Sequence, residues 1–191
     1  MLRRTFLLGA AALLSGCAIH NAASDGILAP GYVQGSVKSV VMFPLLNASK
    51  AAVYQPTIQT EMALALQARN KDLRFMATNE ALTRAMTGDA AGELRRLSDA
   101  VFNDKPIAAE DLKRVHEVLG IDAAIVCGFT GSDKTVEMPI HILDLRNGQT
   151  IWQGVSEGWA GASADANRFS STLARDMEEG IIDLHKRLPA L

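Results

Sequence analysis

Apolar and polar positions change their spacing several times along this chain, and each change marks an element. Val37 to Leu45 is apolar at nearly every position after Ser39, the pattern of a strand covered on both faces. Pro44 cannot donate to a ladder and marks the strand's end. Asn47 to Tyr54 reads as a loop. Pro56 suits a helix start, and Ile58, Met62, Ala65 and Arg69 then recur on one helical stripe with Leu66 beside it. Asn70 is the expected C-cap. Asp72 to Ala77 predicts a second strand, and Thr78 or Asn79 caps a short helix through Met86. Leu94, Leu97 and Val101 suggest helix over part of residues 88–106. Ala108 to Leu119 is a firmer helix. Glu110 and Asp111 in its first turn suit the macrodipole, Leu112, Val115 and Leu119 form its stripe, and Gly120 is a natural stop.

Ile121 to Phe129 predicts another buried strand. After a turn at Gly131-Ser132-Asp133, Thr135 to Leu145 alternates, with Val136, Met138, Ile140 and Ile142 on one face. Asn147-Gly148 is a strong hairpin signal, and Gln149 to Trp159 returns antiparallel. Ala166 to Leu188 is a helix with Phe169, Leu173, Met177, Ile181, Leu184 and Leu188 on its stripe, ended by Pro189. The order β-α-β-α-α-β-β-β-α predicts an α/β fold, a mixed sheet covered by helices, with parallel crossovers early and hairpins late.

The residues before 37 follow another logic. Arg3 and Arg4 precede an apolar run from Thr5 to Gly16, which is shorter than the about 20 residues that span a bilayer. A basic start, an apolar middle and small residues at the end make a secretory signal. Its last four residues, Leu14-Ser15-Gly16-Cys17, resemble the lipobox of bacterial lipoproteins. That resemblance implies cleavage before Cys17, a diacylglycerol on its thiol and an acyl chain on its new amine. Ala18, in place of the aspartate that retains such proteins at the inner membrane, points to the outer membrane and a periplasm-facing domain. Arg3-Arg4-Thr5-Phe6-Leu7 also resembles a twin-arginine export motif, but Leu2 stands where that motif has serine or threonine, so both export routes stay open. Residues 18–36, with Gly26, Pro30, Gly31 and Gly35, read as a flexible linker with a full reach of about 60 Å. The chain thus divides into a signal peptide (1–16), a lipidated N-terminus with linker (17–36) and a single α/β domain (37–188).

Charge narrows the partners. The formal net charge is −2, and cleavage removes two of the 19 basic residues and none of the 21 acidic ones. Without a basic excess, nucleic acid is not expected as a partner. With Cys17 lipidated, Cys127 has no mate for an internal disulfide. It lies in the run Ala123-Ala124-Ile125-Val126-Cys127-Gly128 and reads as a small buried hydrophobe.

Three segments resemble one family. Val40-Val41-Met42-Phe43-Pro44-Leu45-Leu46-Asn47 is similar to an opening strand "vaVlPfxN". His116-Glu117-Val118-Leu119-Gly120-Ile121-Asp122-Ala123-Ala124-Ile125-Val126-Cys127-Gly128 is similar to "xxLGaDavvxG". Ile142-Leu143-Asp144-Leu145-Arg146-Asn147-Gly148-Gln149-Thr150-Ile151-Trp152 is similar to "lvDlxtGexlW". The motifs recur in this order in bacterial envelope lipoproteins of the curli-secretion-channel and penicillin-binding-protein-activator types, and in the N-terminal domain of the Tol-system translocation protein. The resemblance covers residues 37–188 and implies an anticodon-binding-like fold that binds proteins. Unlike the curli-channel subunits, this chain lacks the ~10-residue alternating hairpins a transmembrane barrel needs, which argues against a pore.

The search for chemistry yields little. His20 lies in the linker, and His116, His141 and His185 share no ligand spacing, so no metal or cofactor is expected. Ser36 and Ser39 lack a nucleophile elbow. The glycines from Gly154 to Gly161 have no P-loop lysine and read as a flexible strand end. Glu110-Asp111 and Glu178-Glu179 are helix neighbours that point apart. Trp152 and Trp159 read as core or edge packing, with an aromatic patch for a partner as the sharper alternative. The expectation is a non-enzymatic, lipid-anchored protein-interaction module for assembly or regulation of an envelope complex in cell-wall synthesis or secretion, with homo-oligomers possible. The alternative is a glycan, peptidoglycan or ligand-binding module, and behind it a component of an oligomeric secretion channel.

Overall fold

A computed structural model describes residues 26–48, 54–132, 135–159 and 170–191. Among these residues seven strands, β1 (Ile27–Leu28), β2 (Ser39–Met42), β3 (Arg74–Met76), β4 (Ala123–Cys127), β5 (Thr130–Ser132), β6 (Thr135–Asp144) and β7 (Thr150–Ser156), form one mixed sheet. Its order is β1-β7-β6-β4-β2-β3, with β5 paired to the start of β6. β2 runs parallel to both β3 and β4, while β4, β6, β7 and β1 pair antiparallel in turn. Early parallel crossovers and late hairpins are therefore observed as the spacing predicts.

Among the described residues, five helices cover this sheet: α1 (Gln55–Arg69), α2 (Thr78–Thr87), α3 (Ala91–Phe102), α4 (Ala109–Leu119) and α5 (Ser170–Arg187). One face packs Val40, Met42, Ile125 and Ile140 against Ile58, Met62 and Leu66 of α1 and Leu184 of α5. The other packs Val41, Phe43, Ala124 and Val126 against Ala81 of α2, Leu97 of α3 and Val115 of α4. β2 and β4 lie between these layers and are buried at every position, which is why their sequences are continuously apolar. Val136, Met138, Ile140 and Ile142 all enter the α1/α5 layer, as the alternation of β6 requires. Gly120 ends α4 in the left-handed region at φ 63°, where a side chain would be strained.

The element order needs three corrections. Residues 91–102 are helical throughout, because the turn at Gly88-Asp89 lets Leu94, Leu97, Ser98 and Val101 all face inward. β5 adds a short strand where the spacing predicts only a turn. Part of the stretch that reads as a flexible linker is also paired: Ile27 stands opposite Gln153, Leu28 opposite Trp152, and the Ala29 N–H donates to the Ile151 carbonyl at 2.7 Å. Cys17, His20, the Asp133 turn position, Phe169 and Gly161 lie outside the described residues. Among those that are described, no helix is long and apolar enough to cross a membrane.

Candidate functional site

The motif residues converge on the ends of the central strands and bind their own backbone. Asp122, just before β4, accepts the Lys38 N–H at 2.8 Å and the Ser39 N–H at 3.0 Å through one carboxylate oxygen. In return its N–H donates to the Ser39 hydroxyl at 3.0 Å. This reciprocal pair joins the starts of β2 and β4. Burial pushes the Asp122 carboxyl up, but the Lys38 N–H, the Ser39 groups and the Arg146 charge outweigh it and hold the group below its ordinary range. At the β6–β7 turn, Asp144 takes two bonds from the Arg146 guanidinium, at 2.9 and 2.6 Å, and one from the Arg146 N–H. Arg146 then reaches across to the Ser36 carbonyl. Gly148, at φ 77°, lets this turn close.

The remaining candidates are dispersed. The His116 Nδ1 lies 3.1 Å from the Ile121 carbonyl, and the His185 Nε2 lies 2.9 Å from Glu61. Glu110 is exposed, whereas Asp111 is buried and takes a two-pronged bond from Arg96 at 3.0 and 2.7 Å, tying α3 to α4. Glu178 and Glu179 are both exposed. Cys127 is fully buried, and burial pushes its thiol up to about 12, so it stays protonated. Among the described residues no three potential ligand side chains cluster around a common point.

Both tryptophans are fully buried, so the core reading holds over an aromatic surface patch. The Trp159 indole N–H donates to the Ser156 hydroxyl at 3.0 Å, and its ring meets Phe129 edge-on with centroids 5.7 Å apart. Ser156 also reaches Asp183 at 3.1 Å, and Asp183 accepts from the Glu157 N–H and from Arg187. Ser156 is not a candidate by sequence, although its place two residues beyond Gly154 on the inward side of β7 puts its hydroxyl in the core. Gly154 is no flexible strand end: a Cβ there would fall 2.5 Å from the Trp152 ring.

Two surface clefts are formed by described residues alone. One, of about 400 Å³, is lined by uncharged polar groups, among them Gln55, Gln59, Thr60 and Asn79. The second, of about 430 Å³, lies along β7 and the end of α3 and includes His141 and Asp104. His141 is only 9% exposed. Burial holds its imidazole below the ordinary histidine value, against an opposing pull from the Asp104 carboxylate.

These groups set the response to acid. The folded His141 takes a proton less readily than the unfolded one, so the unfolded chain binds more protons as pH falls past about 6.5. Asp111, lowered first by its bond from Arg96, and Asp122 lose their contribution at lower pH, below about 4. Stability is therefore expected to be greatest between about pH 7 and 8.5, to decline in two steps below that range, and to decline above it, where the unfolded thiol ionises and the buried Cys127 does not. Urea midpoints against pH check this: the upper step is expected to vanish in His141→Gln, and a flat wild-type curve between about pH 7 and 5 contradicts the assignment.

No family model matches the chain, and no curated protein matches it. Solved structures are similar to it. Lipoprotein GNA1162 from Neisseria meningitidis is 16% identical over 80% of this chain and 99% of that one, with a TM-score of 0.44. The PelC dodecamer from Paraburkholderia phytofirmans is 12% identical over 85% and 98%, with a TM-score of 0.37. The LpoB C-terminal domain from Escherichia coli is 12% identical over 68% and 86%, with a TM-score of 0.38. At these values the likeness is one of outline, and the functional reading rests on the chain's own residues.

Proposed function

We propose that this chain is a lipid-anchored, periplasm-facing protein-interaction module that serves assembly or regulation of a cell-envelope complex, and that it is not an enzyme. The observation that carries this reading is the leader that ends in Leu14-Ser15-Gly16-Cys17 ahead of a folded α/β domain. The polar motif residues support it: Asp122, Ser39, Asp144 and Arg146 are engaged in holding strand ends and a turn. With Cys17 as anchor, β1 begins after only residues 18–26, which reach at most about 30 Å. A partner must then present its contact surface close to the membrane, which for this chain we take to be the outer one.

Crosslinking in intact cells, followed by mass spectrometry, tests the reading. It is expected to trap a second envelope protein, and recovery of lipid or the chain itself alone counts against it. Cys17→Ser is expected to remove the acyl mass and release the protein from the membrane fraction. A variant that stays membrane-bound overturns the anchor.

The neutral cleft at Gln55, Gln59 and Asn79 favours one second reading, binding of a glycan whose hydroxyls pair with amides. Sedimentation with purified peptidoglycan decides it, since a chain left wholly in the supernatant disposes of that reading.

A further inference from the structure

The helices that follow β2 and β3 part to opposite faces of the sheet. β2 and β3 are neighbours and run parallel. The chain leaving β2 enters α1, which packs Ile58 and Met62 on one face. The chain leaving β3 enters α2, which packs Ala81 and Ala85 on the other. Where adjacent parallel strands send their helices to opposite faces, a crevice opens outside their carboxyl ends, and ligands of α/β sheets bind there. The cleft of about 400 Å³ lies at this point: Gln55, Pro56, Gln59 and Thr60 of α1 form one wall, Asn79 and Leu82 of α2 the other. Thr78 fixes the second wall to the sheet, its hydroxyl donating at 2.7 Å to the Met42 carbonyl at the end of β2.

The hydrogen-bonding groups left over in this cleft are mostly donors. The Gln55 Oε1 accepts the Leu45 N–H at 3.4 Å, which leaves its amide NH2. The Asn79 Oδ1 accepts the Glu80 N–H at 2.9 Å, which leaves a second NH2. The Thr60 hydroxyl donates to the Pro56 carbonyl at 2.9 Å and keeps its lone pairs. The Gln59 amide has no bonding partner among the described residues and can both donate and accept. No lining side chain is charged, and Pro56 and Leu82, the latter 36% exposed, add apolar surface. We propose that this cleft binds the acetamido group of an N-acetylated amino sugar in a neutral glycan chain.

Each part of that group has a counterpart in the cleft. Its carbonyl oxygen accepts two hydrogen bonds, which suits the NH2 groups of Gln55 and Asn79. Its N–H needs one acceptor, which the Thr60 hydroxyl supplies. Its methyl group fits Leu82 and Pro56, and the ring hydroxyls pair with the Gln59 amide. A plain glucan brings hydroxyls but neither the carbonyl nor the methyl, so it leaves the NH2 donors poorly matched and Leu82 bare. A free-ended or acidic peptide brings charges for which the lining has no counter-charge. The cleft's volume lies within the range of small-ligand sites.

This rests on the glycan reading of the same cleft, and the test separates the two. The full chain, isotope-labelled and purified in detergent, is titrated with chitotetraose, a linear N-acetylglucosamine oligomer, and followed by NMR. Saturable shifts of the side-chain NH2 signals of Gln55, Gln59 and Asn79 are expected. Cellotetraose, the same backbone without acetamido groups, is expected to bind about tenfold more weakly. Asn79→Asp keeps the acceptor for the Glu80 N–H but puts a charged oxygen where the NH2 donor stood, and is expected to weaken chitotetraose binding about tenfold. Leu82→Ser is expected to weaken it about fivefold. Gln55→Glu, which keeps the acceptor for the Leu45 N–H, serves as the second variant if Asn79→Asp does not fold. Unmoved signals, cellotetraose that binds as tightly, or variants that bind like wild type each overturn the proposal. So does tighter binding of an end-blocked trialanine, which makes the occupant a peptide. Peptidoglycan that sediments wild type and Asn79→Asp alike overturns this site and leaves the glycan reading standing. A wild-type chain that binds chitotetraose here yet stays in the supernatant with peptidoglycan strikes the cell-wall reading and leaves this site standing.

Discussion

Replacing Trp159 with alanine is expected to destabilise the fold by about 3–5 kcal/mol, the range for deleting a large, fully buried aromatic side chain. Three losses add together. The indole is 0% exposed and contacts Phe129 edge-on, so its removal leaves a cavity. Its N–H bond to Ser156 disappears, which disturbs a hydroxyl also tied to Asp183. The third loss is at α5, where Gly180 admits this ring: a Cβ there would sit 2.5 Å from it. Gly180 has no side chain with which to close the gap that alanine opens. Trp159→Phe keeps most of the ring and is expected to cost less than half as much. Urea unfolding at constant slope measures both; a cost below about 1 kcal/mol for the alanine variant refutes this account of α5 docking.

Asp122→Ala is expected to cost about 2–3 kcal/mol, because two backbone N–H groups lose a charged acceptor together. The Lys38 and Ser39 N–H groups lie at the start of β2, where Asp122 is their acceptor, and Ser39 is buried. The variant also removes one group from the lower acid step, so its stability is expected to fall less steeply below about pH 4 than that of wild type. An equal acid response in the two proteins shows that Asp122 is not ionised in this clamp. Asp122→Asn separates charge from hydrogen bonding, since the amide oxygen can still accept one of the two bonds.

Much of the fold was legible wherever one physical cause acted alone. β2 and β4 are buried on both faces, so their apolar runs had one explanation; β6 has one apolar core face, so it alternated. Gly120 had a single reason to be glycine. Legibility failed where causes were non-local. Ile27-Leu28 has no period to read, because its pairing comes from the edge of β7, far along the chain at Trp152 and Gln153. Trp152 could not be placed from alternation, because the ladder slips between Ile142 and Leu143 and turns both Ile151 and Trp152 inward. Asp122 was visible as part of a motif, but its duty depends on Lys38 and Ser39, which lie 84 and 83 residues earlier. His141 stood out only once the end of α3 was seen beside it, since sequence alone could set it no closer to Asp104 than to any other acid.

The brevity of β1 has a mechanical consequence. Any tension on the chain upstream of Gly26 meets the pairing of Ile27 and Leu28 with β7 before it reaches the core. Those two side chains are 66% and 40% exposed, so little apolar burial resists their detachment. Peeling them away lengthens the leash by residues 26–28, about 10 Å at full extension, before the Ala29 bond to Ile151 and the Tyr32 side chain packed on the core resist, and it uncovers the Trp152 ring beneath Gly26. The strand therefore acts as a weak latch in series with a strong body: it yields first, lets out slack, and spares the layers behind it.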